Sequence, residues 1–361
     1  MYKPFTYLAF FIALTFSLSC KPSQTSNRLI SNPEKTFESF FSTTQKNYAN
    51  FGIKRINWDS VYQVYKPKIN SQTSDKELKD ILAESIYTLN DGHVSIFTPL
   101  GWVNSKKSHE WGAFPDRTPA TLKEDKQAFY TLLGAKYFDK STLKRSNCKT
   151  DFSIYCWLKP ALTKQKIGYY IPSFQGEDCV KLAEQMAQEF QTADMVIIDL
   201  RYNPGGMGYT YGRKIAGHFV SQPIDYCNTY QKKESLSNEF QPALEWMVRP
   251  AKPNLGNKKM YVLTNRWTIS AGDHFALLLK LLPTATLIGE NTVGAFGKQQ
   301  NFELPNGWKY TLTVSRHAGV DGTIYEGKGI SPAFRVVNTF KDIQNGNDLV
   351  LEKAIQLIQG Q

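Results

Sequence analysis

The sequence predicts an α/β fold behind a helical front segment, and three observations carry that prediction. From residue 167 onward, short apolar runs of buried-strand type alternate with amphipathic stretches. Before residue 97, apolar side chains recur at helical spacing instead. The chain has 361 residues, 41% of them hydrophobic and 13% aromatic, which is enough for a large packed core.

Residues 34–92 read as helices. Phe37, Phe40, Phe41 and Tyr48 form one face, Val61, Tyr62 and Tyr65 follow Trp58 at the same spacing, and Leu78, Ile81, Leu82, Ile86 and Leu89 form a third face. Ser74 with Glu77 offers an N-cap for the last of these. Asn90-Asp91-Gly92 is a helix stop and turn, with His93 directly after it. Residues 98–165 show no clear pattern and no internal repeat. Then come a strand at 167–174, a helix at 179–190, the buried strand 195–200 and the loop 201–208 with a helix near 209–220. A buried strand at 260–264 leads to a helix that starts at Ser270. A strand at 285–289, a hairpin at 301–314 turning at Pro305-Asn306-Gly307, and a helix at 347–358 complete the chain. The glycines at 205, 206 and 208 have the wrong spacing for a dinucleotide-binding loop.

The 43 Lys and Arg outnumber the 32 Asp and Glu, for a net charge of +11, but they are scattered. That fits attraction to anionic surfaces or polypeptides, and no nucleic-acid-binding signature accompanies it. No CxxC or HExxH occurs, so no metal site and no cofactor is expected. Cys148 and Cys156 are close enough in sequence to bridge a loop, whereas Cys179 lies on an apolar helix face and reads as a buried thiol.

Ser270 follows a strand and a turn and opens a helix. There, unpaired N–H groups and the positive end of the helix dipole favour a developing oxyanion. Ser270 with Asp273 is equally a capping box, so the local pattern leaves nucleophile and cap both open. By its local pattern alone, the NPGG segment at 203–206 is an ordinary turn after a strand, with two glycines that leave its backbone uncovered. By its local pattern alone, His93 is a helix-cap residue, with an imidazole whose ordinary pKa is near about 6.5.

In order along the chain stand WDSVYQVYKP, LNDGHVSI, IGYYIPSF, IIDLRYNPGG, VLTNRWTISAGDHFA, LIGENTVGAFG and IYEGKGISPAFRV. Together they resemble the S41 peptidases, which include C-terminal processing proteases, tricorn core proteases and retinoid-binding modules. The resemblance spans residues 35–360. It implies a ClpP/crotonase-like core of β-β-α units preceded by a helical N-terminal domain. It also implies Ser270 as nucleophile, with oxyanion donors from Ala271 and from Gly205 or Gly206. One branch of the family uses a lysine where this chain has Ala295, and Lys298 is a poor substitute. The tricorn-like branch uses a histidine, here His93, with a glutamate, here Glu326. The serine that precedes the histidine in that branch is Gly92 in this chain. Arg201 and Asn203 are expected to brace the oxyanion loop, Asp273 to act as a structural cap and His274 to pack. No PDZ domain is evident between His93 and residue 167, which argues against strict C-terminal recognition.

The N-terminus has one early lysine and a short apolar stretch ending in Leu18-Ser19-Cys20, which resembles a lipoprotein signal with Cys20 lipidated. Lys21 argues against retention at an inner membrane. The expected organisation is a signal at 1–19, a tether at 20–33, a helical domain at 34–97, an intervening segment at 98–165 and a peptidase core at 166–361. The expected protein is a lipid-anchored serine peptidase of the cell envelope acting on polypeptides, with no nucleic-acid partner. The rival is a catalytically silent binding lipoprotein on the same fold.

Overall fold

The computed structural model describes residues 32–106, 114–146, 153–233 and 239–360. The expected signal, Cys20, most of the tether and Cys148 lie outside the described residues.

Apolar spacing produces the front helices as expected: Pro33–Asn47, Phe51–Lys54, Trp58–Tyr65 and Asp75–Tyr87. Asn32 caps the first and Asn57 the third. Ser74 and Glu77 form a reciprocal capping box on the fourth. Their aromatic face (Phe37, Phe40, Phe41, Trp58) shares one core with Leu304, Trp308, Tyr310 and Leu312. The reason is strand pairing. Ser95–Thr98 lies between Gly101–Asn104 and Lys309–Thr313, and Gln299–Glu303 completes a four-stranded sheet. The predicted hairpin at 301–314 thus packs against the N-terminal helices, and His93 sits at the joint.

The second sheet has seven strands. From Ile167–Ile171 through Met195–Asp199, Lys259–Thr264 and Ala285–Gly289 to Phe334–Arg335 the neighbours are parallel. Ile154–Trp157 and Lys144–Arg145, from the segment that the sequence left unread, extend it antiparallel at the other edge. Strand alternation divides the core in two. Val196, Ile198, Met260 and Val262 face the helices Glu177–Glu189 and Ala271–Lys280, while Ile197, Tyr261 and Leu263 face Leu122–Leu132 and Leu349–Gln359. This is the α/β architecture with a helical front that the sequence predicts. The expected helix near 209–220 is shorter and irregular: only Arg213–Ala216 is α-helical.

Two cysteine expectations are corrected. Cys156 is a buried free thiol, so it does not bridge Cys148. Cys179 is disulfide-bonded rather than a buried thiol. Closeness in sequence for Cys156, and an apolar helical face for Cys179, do not say which sulfurs meet in the fold, which is why the sequence misled on both.

Arg201 departs from its expected role too. It lies just beyond the strand end at Asp199, with 2% of its surface exposed. Its guanidinium takes Asp199 in a fork at 2.9 and 2.7 Å and Asp348 at 2.6 Å. Asp348 also accepts from Asn338 and caps the C-terminal helix. Arg201 therefore fastens the C-terminal helix to the sheet, rather than bracing the glycine loop directly. Removing one member of such a buried pair leaves an uncompensated charge. Asp348→Ala should lose about 3–5 kcal/mol of stability in urea titration. An unchanged midpoint would show that the pair holds nothing.

Candidate active site

Ser270 sits between the strand Lys259–Thr264 and the helix Ala271–Lys280, as N-cap, with φ +60° and ψ −116°. A non-glycine residue is strained there, and such strain costs on the order of 1–3 kcal/mol. The surroundings enforce it. The Ser270 N–H donates to Asp273 at 2.8 Å, and Ile269 N–H donates to the Asn203 carbonyl at 3.1 Å.

The glycine loop packs directly on this turn. A Cβ at Gly205 would lie 2.6 Å from Ser270 Cβ and 2.9 Å from the Ile269 oxygen. A Cβ at Gly206 would meet the Phe174 oxygen at 2.8 Å, and both glycines have positive φ. Asn203 braces the loop as expected, donating to the Pro172 carbonyl and accepting from Gly205 N–H at 2.9 Å. That bond occupies the Gly205 N–H. Among the described residues, the N–H groups of Gly206 and Ala271 have no protein partner. Of the expected donors, Gly206 and Ala271 are the two that remain available.

His93 is 9% exposed and held by its backbone. Its N–H donates to Asp91 at 2.9 Å, and its carbonyl accepts from Thr311 at 2.8 Å and Gln299 at 2.9 Å. Burial lowers its pKa, while Asp91 and the Gly297 carbonyl favour the protonated ring. Nδ1 is buried without a partner, next to a residue, Gly92, that has no hydroxyl to offer.

Glu326 is buried and makes no hydrogen bond to His93. It accepts instead from the N–H groups of Phe296 and Gly297, at 2.9 and 3.2 Å. Asp273 does the same for the two preceding residues, Gly294 at 2.8 Å and Ala295 at 3.1 Å. Asp273 is thus more than the cap expected of it. Residues 294–297 form a strap running from beneath Ser270 to the His93 ring. Ala295 on this strap is 1% exposed and packs against Ile269 and Val293, so an apolar contact stands where the resemblance would place a lysine. Lys298 is exposed.

The acids divide their charge. Burial opposes ionisation of Asp91, but Lys54 and His93 more than offset it, and Tyr48 donates to it at 2.8 Å, so its pKa is lowered. Burial and then the Asp91 charge push Glu326 up to about 8. Burial raises Asp273 to about 6. The sequence reads Asp91 only as part of a turn and Tyr48 only as part of an apolar helical face, and neither as a site residue. The position of Asp91, two residues before His93 in the turn, was the available signal.

A model of Peptidase family S41 matches residues 166–336, and one of the Tricorn protease C1 domain matches residues 32–86. The chain belongs to the S41 peptidase family. A carboxyl-terminal-processing protease of Synechocystis sp. is 29% identical over 203 residues, covering 54% of this chain and 44% of that protein. The chain therefore spans less than half the length of the curated relatives it matches. A candidate peptidase of Parabacteroides merdae has a similar structure, at 28% identity and TM-score 0.74, over 91% of this chain and 97% of that one. Mature CPAF shares the fold at TM-score 0.66 and 14% identity, over 92% of this chain and 97% of that one. The tricorn match falls on the front helices, and the S41 match contains Ser270, the glycine loop and Glu326.

Two outcomes follow for this S41 chain. Gly205→Ala places a methyl against Ser270 and the Ile269 carbonyl at positive φ. It should destabilise by about 1–3 kcal/mol and displace the glycine loop, read as a lowered thermal midpoint. A midpoint equal to wild type would show that the loop has room. Glu326 has a folded pKa above its unfolded one, so its contribution to stability is present below about pH 4.5 and is lost as pH rises through about 8. Glu326→Gln should flatten the fall in stability between these values. An unchanged pH profile would place the titration elsewhere.

Proposed function

We propose that the protein is an exported, lipid-anchored serine peptidase that cleaves peptides or unfolded polypeptides in the cell envelope. The observation that carries this reading is the strained Ser270 at a helix N-terminus, pressed against the glycine loop, with the N–H of Gly206 on that loop and of Ala271 on the helix both unpaired. Membership of a peptidase family and likeness to carboxyl-terminal-processing proteases support the same chemistry.

In this mechanism Ser270 Oγ attacks the scissile carbonyl carbon while His93, a neutral imidazole at neutral pH, takes the hydroxyl proton. The carbonyl oxygen becomes an oxyanion held by the N–H groups of Ala271 and Gly206. His93 then gives its proton to the leaving amine, and a water attacks the acyl-enzyme with His93 again as base. Glu326 acts at one remove. It holds the Phe296-Gly297 peptide units, and the Gly297 carbonyl lies against the imidazole and favours its charged form. Asp91 supplies the negative charge nearest that cation.

The anchor is proposed at Cys20, after a signal at 1–19 and ahead of a tether to residue 33. No helix among the described residues is long and apolar enough to cross a membrane. The region 34–97 is proposed as a helical unit and 166–361 as the peptidase core. An open cleft beside the strap, lined by Arg266, Lys328 and Arg335 with Glu290, supports polypeptides carrying acidic groups as substrates.

Digestion of an unfolded protein, with products read by mass spectrometry, tests the reading. Ser270→Ala should abolish cleavage. His93→Ala should lower kcat by roughly 10²–10⁴-fold. A folded wild type that cuts none of several substrates would favour the silent binding lipoprotein. Activity that survives His93→Ala would place the base elsewhere.

A further inference from the structure

Behind the helix that carries Ser270, three side chains that the mechanism does not use come together. The strand Ile224–Gln231 pairs antiparallel with Ser315–Gly319, with His317 opposite Thr229 and Gly319 opposite Cys227. Alternation puts Cys227, Thr229, Ser315 and His317 on one face. His274, one turn along the helix Ala271–Lys280, meets that face, its ring 4.8 Å from that of His317. One ligand atom each from Cys227, His274 and His317 lies within 4.8 Å of the other two, and all three residues are buried.

The details fit a metal better than a chance polar cluster. Cys227 Sγ is 3.7 Å from His317 Nδ1. A tetrahedral zinc ion, with bonds of about 2.3 Å to sulfur and about 2.0–2.1 Å to nitrogen, sets its S and N ligands about 3.6 Å apart. The outer nitrogens are already engaged. His274 Nε2 donates to the Phe296 carbonyl at 3.0 Å, which fixes the tautomer, and His317 Nε2 pairs with Ser315 Oγ at 3.0 Å. Outer partners of this kind orient metal-ligating histidines. His274 Nδ1 is left with its lone pair, buried and without a partner. Trp246 stacks on the His274 ring at 4.7 Å and 12°, which holds its plane. Thr229 Oγ1 is 3.0 Å from His317 Nδ1, so on metal binding its hydroxyl would release that nitrogen.

We propose that Cys227, His274 and His317 form a buried site for a Zn²⁺ ion. Binding exchanges the Cys227 S–H proton, released to solvent, for a sulfur–zinc bond. The site abuts the strap: the Phe296 carbonyl that holds His274 belongs to a residue whose N–H is held by Glu326. Occupancy would therefore stiffen the catalytic centre from behind. This inference is independent of the proposed proteolysis.

The test is titration of the chelator-treated full chain with Co²⁺ as a spectroscopic stand-in. The expected result is one equivalent bound, with thiolate-to-cobalt absorption in the near ultraviolet that one equivalent of Zn²⁺ displaces. Cys227→Ser should remove that band, His317→Gln should weaken binding at least tenfold, and Cys156→Ser should leave both unchanged. Absence of the band from folded wild-type protein would overturn the proposal. So would a band that survives Cys227→Ser or disappears with Cys156→Ser.

Discussion

Four consecutive backbone N–H groups, those of residues 294–297, end on two buried carboxylates, Asp273 and Glu326. An N–H left unpaired in such a place costs about 1–3 kcal/mol, so the strap has little freedom to lie elsewhere. Its position fixes much else. Asp273 also holds the N–H of Ser270, and the far end of the strap presents the Gly297 carbonyl to His93. One short segment thereby relates a serine in the turn after a strand of the seven-stranded sheet to a histidine just ahead of an inner strand of the four-stranded one.

The strain at Ser270 depends on the same contacts. A residue at φ +60° persists only where its neighbours leave no alternative. Here Asp273 holds it from the helix side, and the glycine loop presses from the other, with no room for a Cβ at Gly205. The loop is kept in place by Asn203, which takes up the Gly205 N–H and leaves that of Gly206 unpaired. The charges are also apportioned by position: Asp91 is the ionised acid because Lys54, Tyr48 and His93 surround it, and its charge helps to keep Glu326 protonated.

Local pattern was enough to read the elements and part of the site. The strands around 195–200 and 260–264, the glycine loop and the serine at the helix start are written in contiguous residues, and each lies where the period and turn signals put it. What pairs across the fold was not legible that way. Nothing near Glu326 says that its carboxylate meets residues 296–297, and nothing near 301–314 says that this hairpin sits beside Ser95–Thr98. The Cys227, His274 and His317 cluster has no sequence signature, because it depends on the register of two strands and the rotation of one helix. Arg201 shows the converse error: proximity to the glycine loop suggested a brace, whereas its charge is spent on Asp199 and on Asp348 at the start of the last helix.

The most direct measurement of whether this geometry activates Ser270 is labelling with a fluorophosphonate, with the adduct located by peptide mass mapping. A single adduct is expected on Ser270, formed quickly in wild type and at least about a hundredfold more slowly in His93→Ala. Labelling of Ser270 at equal rates in both proteins, or no adduct on Ser270 in a folded sample, would contradict that activation.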